Sequence, residues 1–395
     1  MRRYALRVVA SVWMLVVAVS SCLREDPPQP LPGPQPGGVE EVCLENPTVR
    51  AYLNFLDMLP YRDGDYSYSC IDDYYQLSTT YRKDQPRPVT IRWEQGGGSQ
   101  RLLVADNPAF TDALVYPVGA LSGSYDIYNL IPGRQYWWKV LSAGTEECFG
   151  EGSFLTTGRR RFLKVDNICN VRDLGGIPVD GGARRIKYGL LFRGGEMNGY
   201  HQDYENRYTR INASGIAAMK QLGVGADLDL RTASEAVDIS VSPMGEEVDY
   251  VRFEEANAYY YDKFWESDEY IRAFQWVIDE LRQGKPVFFH CIYGADRTGT
   301  LAFLIEALLG ADENQLAIDY ELTSFSFGLE SPPRRRGPKN EISVYRYRQM
   351  LEGLLSARFS GASLQEKIRR FLSSGISGED LDWFASFMLE DANQQ

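Results

Sequence analysis

The stretch that most constrains this chain runs from Pro286 to Ile305. Pro286-Val287-Phe288-Phe289 reads as a short buried strand, and Thr300-Leu301-Ala302-Phe303-Leu304-Ile305 as the first turns of a buried helix. Between them lies His290-Cys291-Ile292-Tyr293-Gly294-Ala295-Asp296-Arg297-Thr298-Gly299. A strand, a tight glycine-containing loop and a helix in that order aim successive backbone N–H groups at one point, so the loop can hold an anion at a helix N-terminus. Cys291 opens the loop and Arg297 closes it. Amide groups, a helix N-terminus and a guanidinium together favour a thiolate. The same groups suit a phosphoryl group, because Arg offers two parallel donors to two oxygens. Ile292, Tyr293, Gly294, Ala295, Asp296 and Arg297 are therefore the candidate phosphate cradle.

His290-Cys291, five residues, then Arg297-Thr298-Gly299 resembles the signature of the cysteine-dependent protein tyrosine phosphatases. Three further segments resemble the accessory motifs of the bacterial tyrosine phosphatase family that carries an Asn-Phe-Arg-Asp-Leu-Gly-Gly type segment. They are Asn167-Ile168-Cys169-Asn170-Val171-Arg172-Asp173-Leu174-Gly175-Gly176, Leu191-Phe192-Arg193-Gly194 and Asp229-Leu230-Arg231-Thr232-Ala233-Ser234-Glu235. The resemblance implies an α/β three-layer domain with a mostly parallel central sheet over residues 158–395. It also implies a phosphocysteine intermediate formed at Cys291 and stabilised by Arg297. His290 would orient the loop from below, and Thr298 would hydrogen-bond Cys291 and ease breakdown of the intermediate. Arg172, Asp173, Arg193 and Arg231 become accessory residues. A carboxylic acid must protonate the leaving oxygen. With no Trp-Pro-Asp segment present, Asp296 is the first candidate and Asp229 the second.

The implied substrates are a phosphorylated protein or a small phosphate monoester, with phosphotyrosine ahead and dual specificity open. The related family commonly has Lys where this chain has Ala295, which weakens the alternative of a phosphoinositide or inositol phosphate phosphatase. The basic loop Pro332-Pro333-Arg334-Arg335-Arg336-Gly337-Pro338-Lys339 is bracketed by Pro and Gly, as a solvated connector is. From another class, the loop could grip phosphate without turnover on a surface lipoprotein. A rhodanese-type sulfurtransferase also cradles an anion over a Cys, but lacks the Arg-Thr-Gly ending.

Residues 1–21 read as an export signal: Arg2, Arg3 and Arg7 precede an apolar run from Val8 to Val19 that is too short for a comfortable membrane span. Val19-Ser20-Ser21-Cys22 resembles a bacterial lipobox, which implies lipidation at Cys22, attachment to a membrane and a place in the cell envelope, with Leu23 favouring the outer membrane. Residues 22–43 then form a tether dominated by Pro27, Pro28, Pro30, Pro32, Pro34 and Pro36. A formal net charge of -12 argues against broad binding to nucleic acid, so any anion site must be local. Besides Cys22 and Cys291 the cysteines are Cys43, Cys70, Cys148 and Cys169, of which Cys43 with Cys70 is the first pairing to test. With His201 and His290 the only histidines and no paired-cysteine motif, neither metal nor cofactor is expected.

Residues 44–157 read as strands. Val89-Thr90-Ile91-Arg92-Trp93 alternates, Arg101-Leu102-Leu103-Val104 runs back, and Tyr136-Trp137-Trp138-Lys139-Val140 follows the Pro132-Gly133 turn. Leu130 to Tyr136 resembles the end of a fibronectin type III domain, in which a Tyr after a Pro-Gly turn pins a corner. That implies an all-β sandwich, with a protein or glycan ligand as its conceivable partner. Tyr66, Tyr68, Tyr74 and Tyr75 fit the pattern poorly and read as core filler or a cap. Further on, strands are expected over 186–193, 224–230 and 246–253, and helices over 212–222, 267–283, 344–355, 363–372 and 377–389.

Overall fold

The computed structural model describes residues 40–58, 85–198, 210–254, 264–325, 361 and 363–392. The signal segment, Cys22, the proline run, Cys70, the tyrosines of 66–75, His201, the basic loop and the helix expected over 344–355 lie outside them. The described residues fall into two compact units: one gathers Glu40, 89–126 and 137–153, the other 41–58, 85–88, 127–136 and everything from 154 onward.

The N-terminal region is β-rich. Its strands are β1 (Glu40–Cys43), β2 (Val89–Arg92), β3 (Gln100–Ala105), β4 (Leu114–Val118), β5 (Ser124–Ile127), β6 (Gln135–Ser142) and β7 (Cys148–Thr157). One sheet has the order β1-β7-β6-β3-β4, and β2 pairs with β5. The two-residue alternation read from the sequence is the burial pattern: Leu102 and Val104 are buried and stand opposite Val140 and Trp138. The corner at Pro132-Gly133 is pinned, since the Ile131 N–H donates to the Tyr136 hydroxyl at 3.0 Å.

Two expectations need correction in this region. The end of the expected tether, Glu40–Cys43, is a strand. Pro47–Met58, expected among strands, is helix α1. Its start has a local cause: Asn46 Oδ1 accepts the Thr48 N–H at 2.9 Å, and Pro47 at the first helical position loses no hydrogen bond. Val49, Tyr52 and Leu53, spaced for one helix face, cluster with Phe162, Ile318, Leu322 and Phe325.

The rest of the chain alternates. Its strands are β8 (Arg161–Phe162), β9 (Arg172–Asp173), β10 (Pro178–Val179), β11 (Arg184–Ile186), β12 (Leu191–Gly194), β13 (Ala226–Asp229), β14 (Asp249–Arg252), β15 (Val287–His290) and β16 (Leu389–Asp391). Its helices are α2 (Ala213–Gln221), α3 (Glu269–Arg282), α4 (Asp296–Leu308), α5 (Glu313–Leu322), α6 (Leu364–Leu372) and α7 (Gly378–Met388). The expected strand over 186–193 is broken, because Gly189 takes φ +81 and separates β11 from β12.

The central sheet has the order β14-β13-β15-β12-β9-β8. The first four strands and β8 run one way and β9 alone runs against them, so the sheet is mixed. Side chains alternate between its faces. Val287 and Phe289 join the cluster built with α3, α4, α6 and α7, whereas Phe288 joins the one built with Met219 of α2, giving helix, sheet and helices in three layers. In register, Asp229, His290 and Gly194 stand side by side where β13, β15 and β12 end. The Cys291 loop leaves that edge, where open parallel sheets place their ligands.

Candidate active site

The loop from Cys291 to Ala295 joins β15 to α4. Its shape is set from outside by three successive carbonyl anchors. The Glu196 N–H donates to Ile292 O at 3.0 Å. Asn170 Nδ2 donates to Tyr293 O at 3.1 Å and to Gly294 O at 3.0 Å. Arg193 Nη2 also donates to Gly294 O, at 2.9 Å. In a planar trans peptide the N–H points opposite to the C=O, so anchoring these three carbonyls outward turns the N–H groups of Tyr293, Gly294 and Ala295 inward, toward the mouth of the cradle. Gly294 has φ +65, and a Cβ there would lie 2.4 Å from the backbone of Gly194. Only glycine fits, and a Cβ on Gly194 itself would lie 2.9 Å from the Phe288 ring, which explains why a glycine ends Leu191-Phe192-Arg193-Gly194.

Burial would raise the Cys291 thiol, but the Arg297 guanidinium and the hydroxyl and N–H of Thr298 outweigh burial and hold it below its ordinary value; Asp296 opposes them. The Thr298 hydroxyl is wholly buried and has no nitrogen or oxygen partner, which leaves it to the sulfur. Arg297 is held by its end-on fork: Nη1 and Nη2 donate to the two carboxylate oxygens of Glu235, the Nη2 bond at 3.1 Å, and Nη1 also reaches Leu230 O at 3.1 Å. The other edge of the guanidinium, Nε–H with the second Nη2–H, therefore faces away from Glu235.

Behind Cys291 lies a buried cluster of charged groups. His290 Nε2 is 3.1 Å from Asp227 Oδ1 and Nδ1 is 4.0 Å from Asp229 Oδ1. Burial would lower the imidazole, yet the carboxylates of Asp229 and Asp227 outweigh it and raise it above the ordinary histidine value. Asp229 in turn accepts Arg231 Nε at 2.9 Å and Nη2 at 2.6 Å, the Arg231 N–H at 2.9 Å and the Tyr250 hydroxyl at 3.0 Å. Burial would raise that carboxyl, but His290 and Arg231 hold it below the ordinary carboxylate range. Arg231 continues to Glu196 at 3.1 Å.

The sequence-derived residues thus separate by place. Cys291, Asp296, Arg297 and Thr298 surround the cradle, and Ile292 to Ala295 supply its backbone. His290, Asp229 and Arg231 lie beneath it. Arg193 touches the loop directly and Arg172 reaches it through Asn170, to whose side chain it donates. Asp173 does not join the site: its carboxylate takes Arg161 at 2.7 Å and the N–H groups of Gly175 at 2.7 Å and Gly189 at 2.8 Å, so it braces the sheet edge. Asp229, the second candidate acid, is tied as a carboxylate by four donors, an arrangement for accepting hydrogen bonds rather than giving up a proton. Asp296 is buried and takes a long contact, 3.5 Å, from the Tyr320 hydroxyl.

Five residues complete the site that the sequence reading does not single out: Asn170, Glu196, Asp227, Glu235 and Asp319. Asn170 and Glu235 lie inside the accessory segments, and Asp227 alternates with Asp229 along β13, a signal that both share one face. Asp319, in the middle of α5, carries no local signal.

Comparison with known proteins agrees with this geometry. The profile of the tyrosine phosphatase family matches residues 163–360, half of the chain. A candidate tyrosine-protein phosphatase of Cupriavidus necator is 27% identical over 245 residues, covering 57% of this chain and 81% of its own. Among solved structures, P. aeruginosa TpbA aligns with 48% of this chain and 90% of its own at 14% identity; its TM-score of 0.28 is too low to bear on the fold. The matched span contains the Cys291 loop and all three accessory segments, and the chain belongs to the tyrosine phosphatase family.

Proposed function

We propose that this chain hydrolyses phosphate monoesters, phosphotyrosine foremost, through a phosphocysteine at Cys291. The observation that carries the reading is the pairing of a depressed Cys291 thiol with an Arg297 whose end-on fork is already occupied by Glu235. The edge of such a guanidinium that faces away from Glu235 suits two equatorial oxygens of a phosphoryl group, and the inward N–H groups of the loop suit the rest. Cys291 attacks phosphorus in line; the S–P bond forms, the P–O bond breaks, and Asp296 gives its proton to the leaving oxygen. Water then attacks phosphorus, its proton returns to Asp296, and the S–P bond breaks to release inorganic phosphate. Thr298 stabilises the departing thiolate, and His290 keeps the loop and its charge in place.

Phosphotyrosine is favoured over inositol phosphates because Ala295 adds no charge to the cradle. Dual specificity depends on the depth of the mouth. Lipidation at Cys22 would hold the enzyme at the cell envelope, most simply at the outer membrane. The β-rich region would serve as a fibronectin type III-like spacer, a reading supported by the pinned Tyr136 corner. The test is release of phosphate from phosphotyrosine peptide, phosphoserine peptide, aryl phosphate and inositol phosphates by wild-type and Cys291→Ser protein. Turnover of the phosphotyrosine peptide that disappears in Cys291→Ser is expected. Binding of inorganic phosphate without any turnover would favour a phosphate-binding lipoprotein instead.

A further inference from the structure

One buried carboxylate outside the cradle is linked to two of the loop's carbonyl anchors. Asp319, on α5, is buried and pairs with two buried guanidiniums. One of its oxygens takes Arg193 Nη1, the other takes Arg172 Nε at 3.3 Å, and its backbone carbonyl takes Arg172 Nη2 at 2.9 Å. Both arginines lead to the loop. Arg193 Nη2 holds Gly294 O at 2.9 Å. Arg172 Nη1 holds Asn170 Oδ1, which turns the Asn170 amide so that its NH2 meets Tyr293 O at 3.1 Å and Gly294 O at 3.0 Å.

Two of the three carbonyl anchors that turn the cradle's N–H groups inward thus end on one side chain. Arg193 is fully buried and Arg172 is 1% exposed, so water cannot replace their counter-charge. Burial would raise the Asp319 carboxyl, but Arg172, Arg193 and Arg160 outweigh it and keep it ionised far below the usual carboxylate range. Arg193 Nε makes no hydrogen bond, so the arginine is oriented by Asp319 on one nitrogen and by the loop on the other.

We propose that Asp319 is a positioning residue for the reaction, holding the loop in its anion-accepting form through Arg193 and through Arg172 and Asn170. This rests on the phosphatase reading of the Cys291 site. Without the carboxylate, the two donors on Gly294 O, Arg193 Nη2 and Asn170 Nδ2, both lose their fixed orientation, the 294–295 peptide can rotate, and the Ala295 N–H leaves the cradle. The cost falls on oxyanion binding and on the chemical step, since the inward donors matter most where charge develops.

The experiment compares wild type, Asp319→Asn, Arg193→Gln and Asn170→Gly in the full chain. Gly adopts the φ +58 of Asn170 without strain, so the last variant removes the side-chain amide, with its bonds to Tyr293 O, Gly294 O, Arg172 and Thr323, and leaves the backbone conformation accessible. Vanadate inhibition and kcat with an aryl phosphate are measured at a temperature where near-ultraviolet circular dichroism shows each variant folded. Expected is a loss of about tenfold or more in vanadate affinity and in kcat for each variant, the range for losing one oriented donor. The Arg193→Gln/Asp319→Asn double variant should be no worse than the poorer single. Should Asp319→Asn not fold, Arg193→Gln and Asn170→Gly decide the matter. Melting temperatures that fall while vanadate affinity and kcat of the folded protein stay within twofold of wild type overturn the proposal. Wild type that neither binds vanadate nor turns over substrate overturns the phosphatase reading itself.

Discussion

At the scale of single residues, the Cys291 site is a set of opposed electrostatic effects whose balance favours a thiolate. Burial works against the charge, and Arg297 with Thr298 overcomes it. Alkylation of Cys291 by iodoacetate should therefore titrate below the free-cysteine value of about 8.5, and Arg297→Met and Thr298→Val should each move it upward. An alkylation midpoint unchanged in Arg297→Met would contradict the assignment. The acid is tested separately. Asp296→Asn should abolish the alkaline limb of the pH-rate profile and slow a poor leaving group by about 10²-fold or more, while sparing an activated aryl phosphate. Asp229→Asn should leave that limb in place, because Asp229 is held ionised beneath His290. Glu235→Gln weakens the clamp on Arg297 and should lower kcat/KM by about tenfold or more without changing the limb assigned to Asp296.

At the scale of elements, α4 and α5 carry a buried carboxyl pair behind the loop. Burial and the neighbouring Asp319 push the Glu306 carboxyl well above its ordinary value, while Arg172, Arg193 and Arg160 hold Asp319 far below its own. The sign follows from linkage. Unfolded Glu306 ionises near 4.3, so as pH rises above that value the unfolded chain loses a proton that the folded chain keeps. Stability then falls by up to about 1.4 kcal/mol per pH unit, until the folded value is reached. Glu306→Gln, which mimics the protonated form, should stabilise the protein, and by more at pH 8 than at pH 5 in urea titrations. An equal effect at both values would mean that Glu306 is ionised in the folded state. His290 acts in the same sense as Glu306: its raised value contributes stability below about 6.5 that is lost as pH rises through the folded value. The depressed Asp229 and Asp319 contribute stability above about 3.9 that is lost as pH falls through their folded values.

At the scale of the whole molecule, local signals and long-range ones divide what the sequence discloses. The strand, loop and helix at Cys291 are legible because chemistry and backbone shape are encoded in one run of residues. The helices after Asn212, Ser363 and Ser377 are legible because each begins with its own capping side chain. Helix α1 is missed because its apolar face is short and sits in a Tyr- and Asp-rich neighbourhood. The cluster that stabilises it, Phe162 with Ile318, Leu322 and Phe325, is remote in sequence. Asp319 is missed for the same reason, since its partners Arg172 and Arg193 lie more than a hundred residues away. Docking of α1 also has a consequence for cutting the chain. A fragment beginning at residue 158 should expose Ile318, Leu322 and Phe325, and should be less stable and more prone to aggregate than one beginning at residue 40. Leu53→Ala should cost about 2–5 kcal/mol in urea titrations of the full chain.

The phosphocysteine is the claim on which the rest depends, and it can be observed directly. The full chain is mixed with an aryl phosphate, quenched in acid within milliseconds, digested and analysed by mass spectrometry. A peptide containing Cys291 that carries one phosphoryl group, and is absent from Cys291→Ser, is the expected result. Product release with no phosphoryl group on Cys291 at any quench time, in wild type or in a slowed Thr298→Val variant, would contradict it.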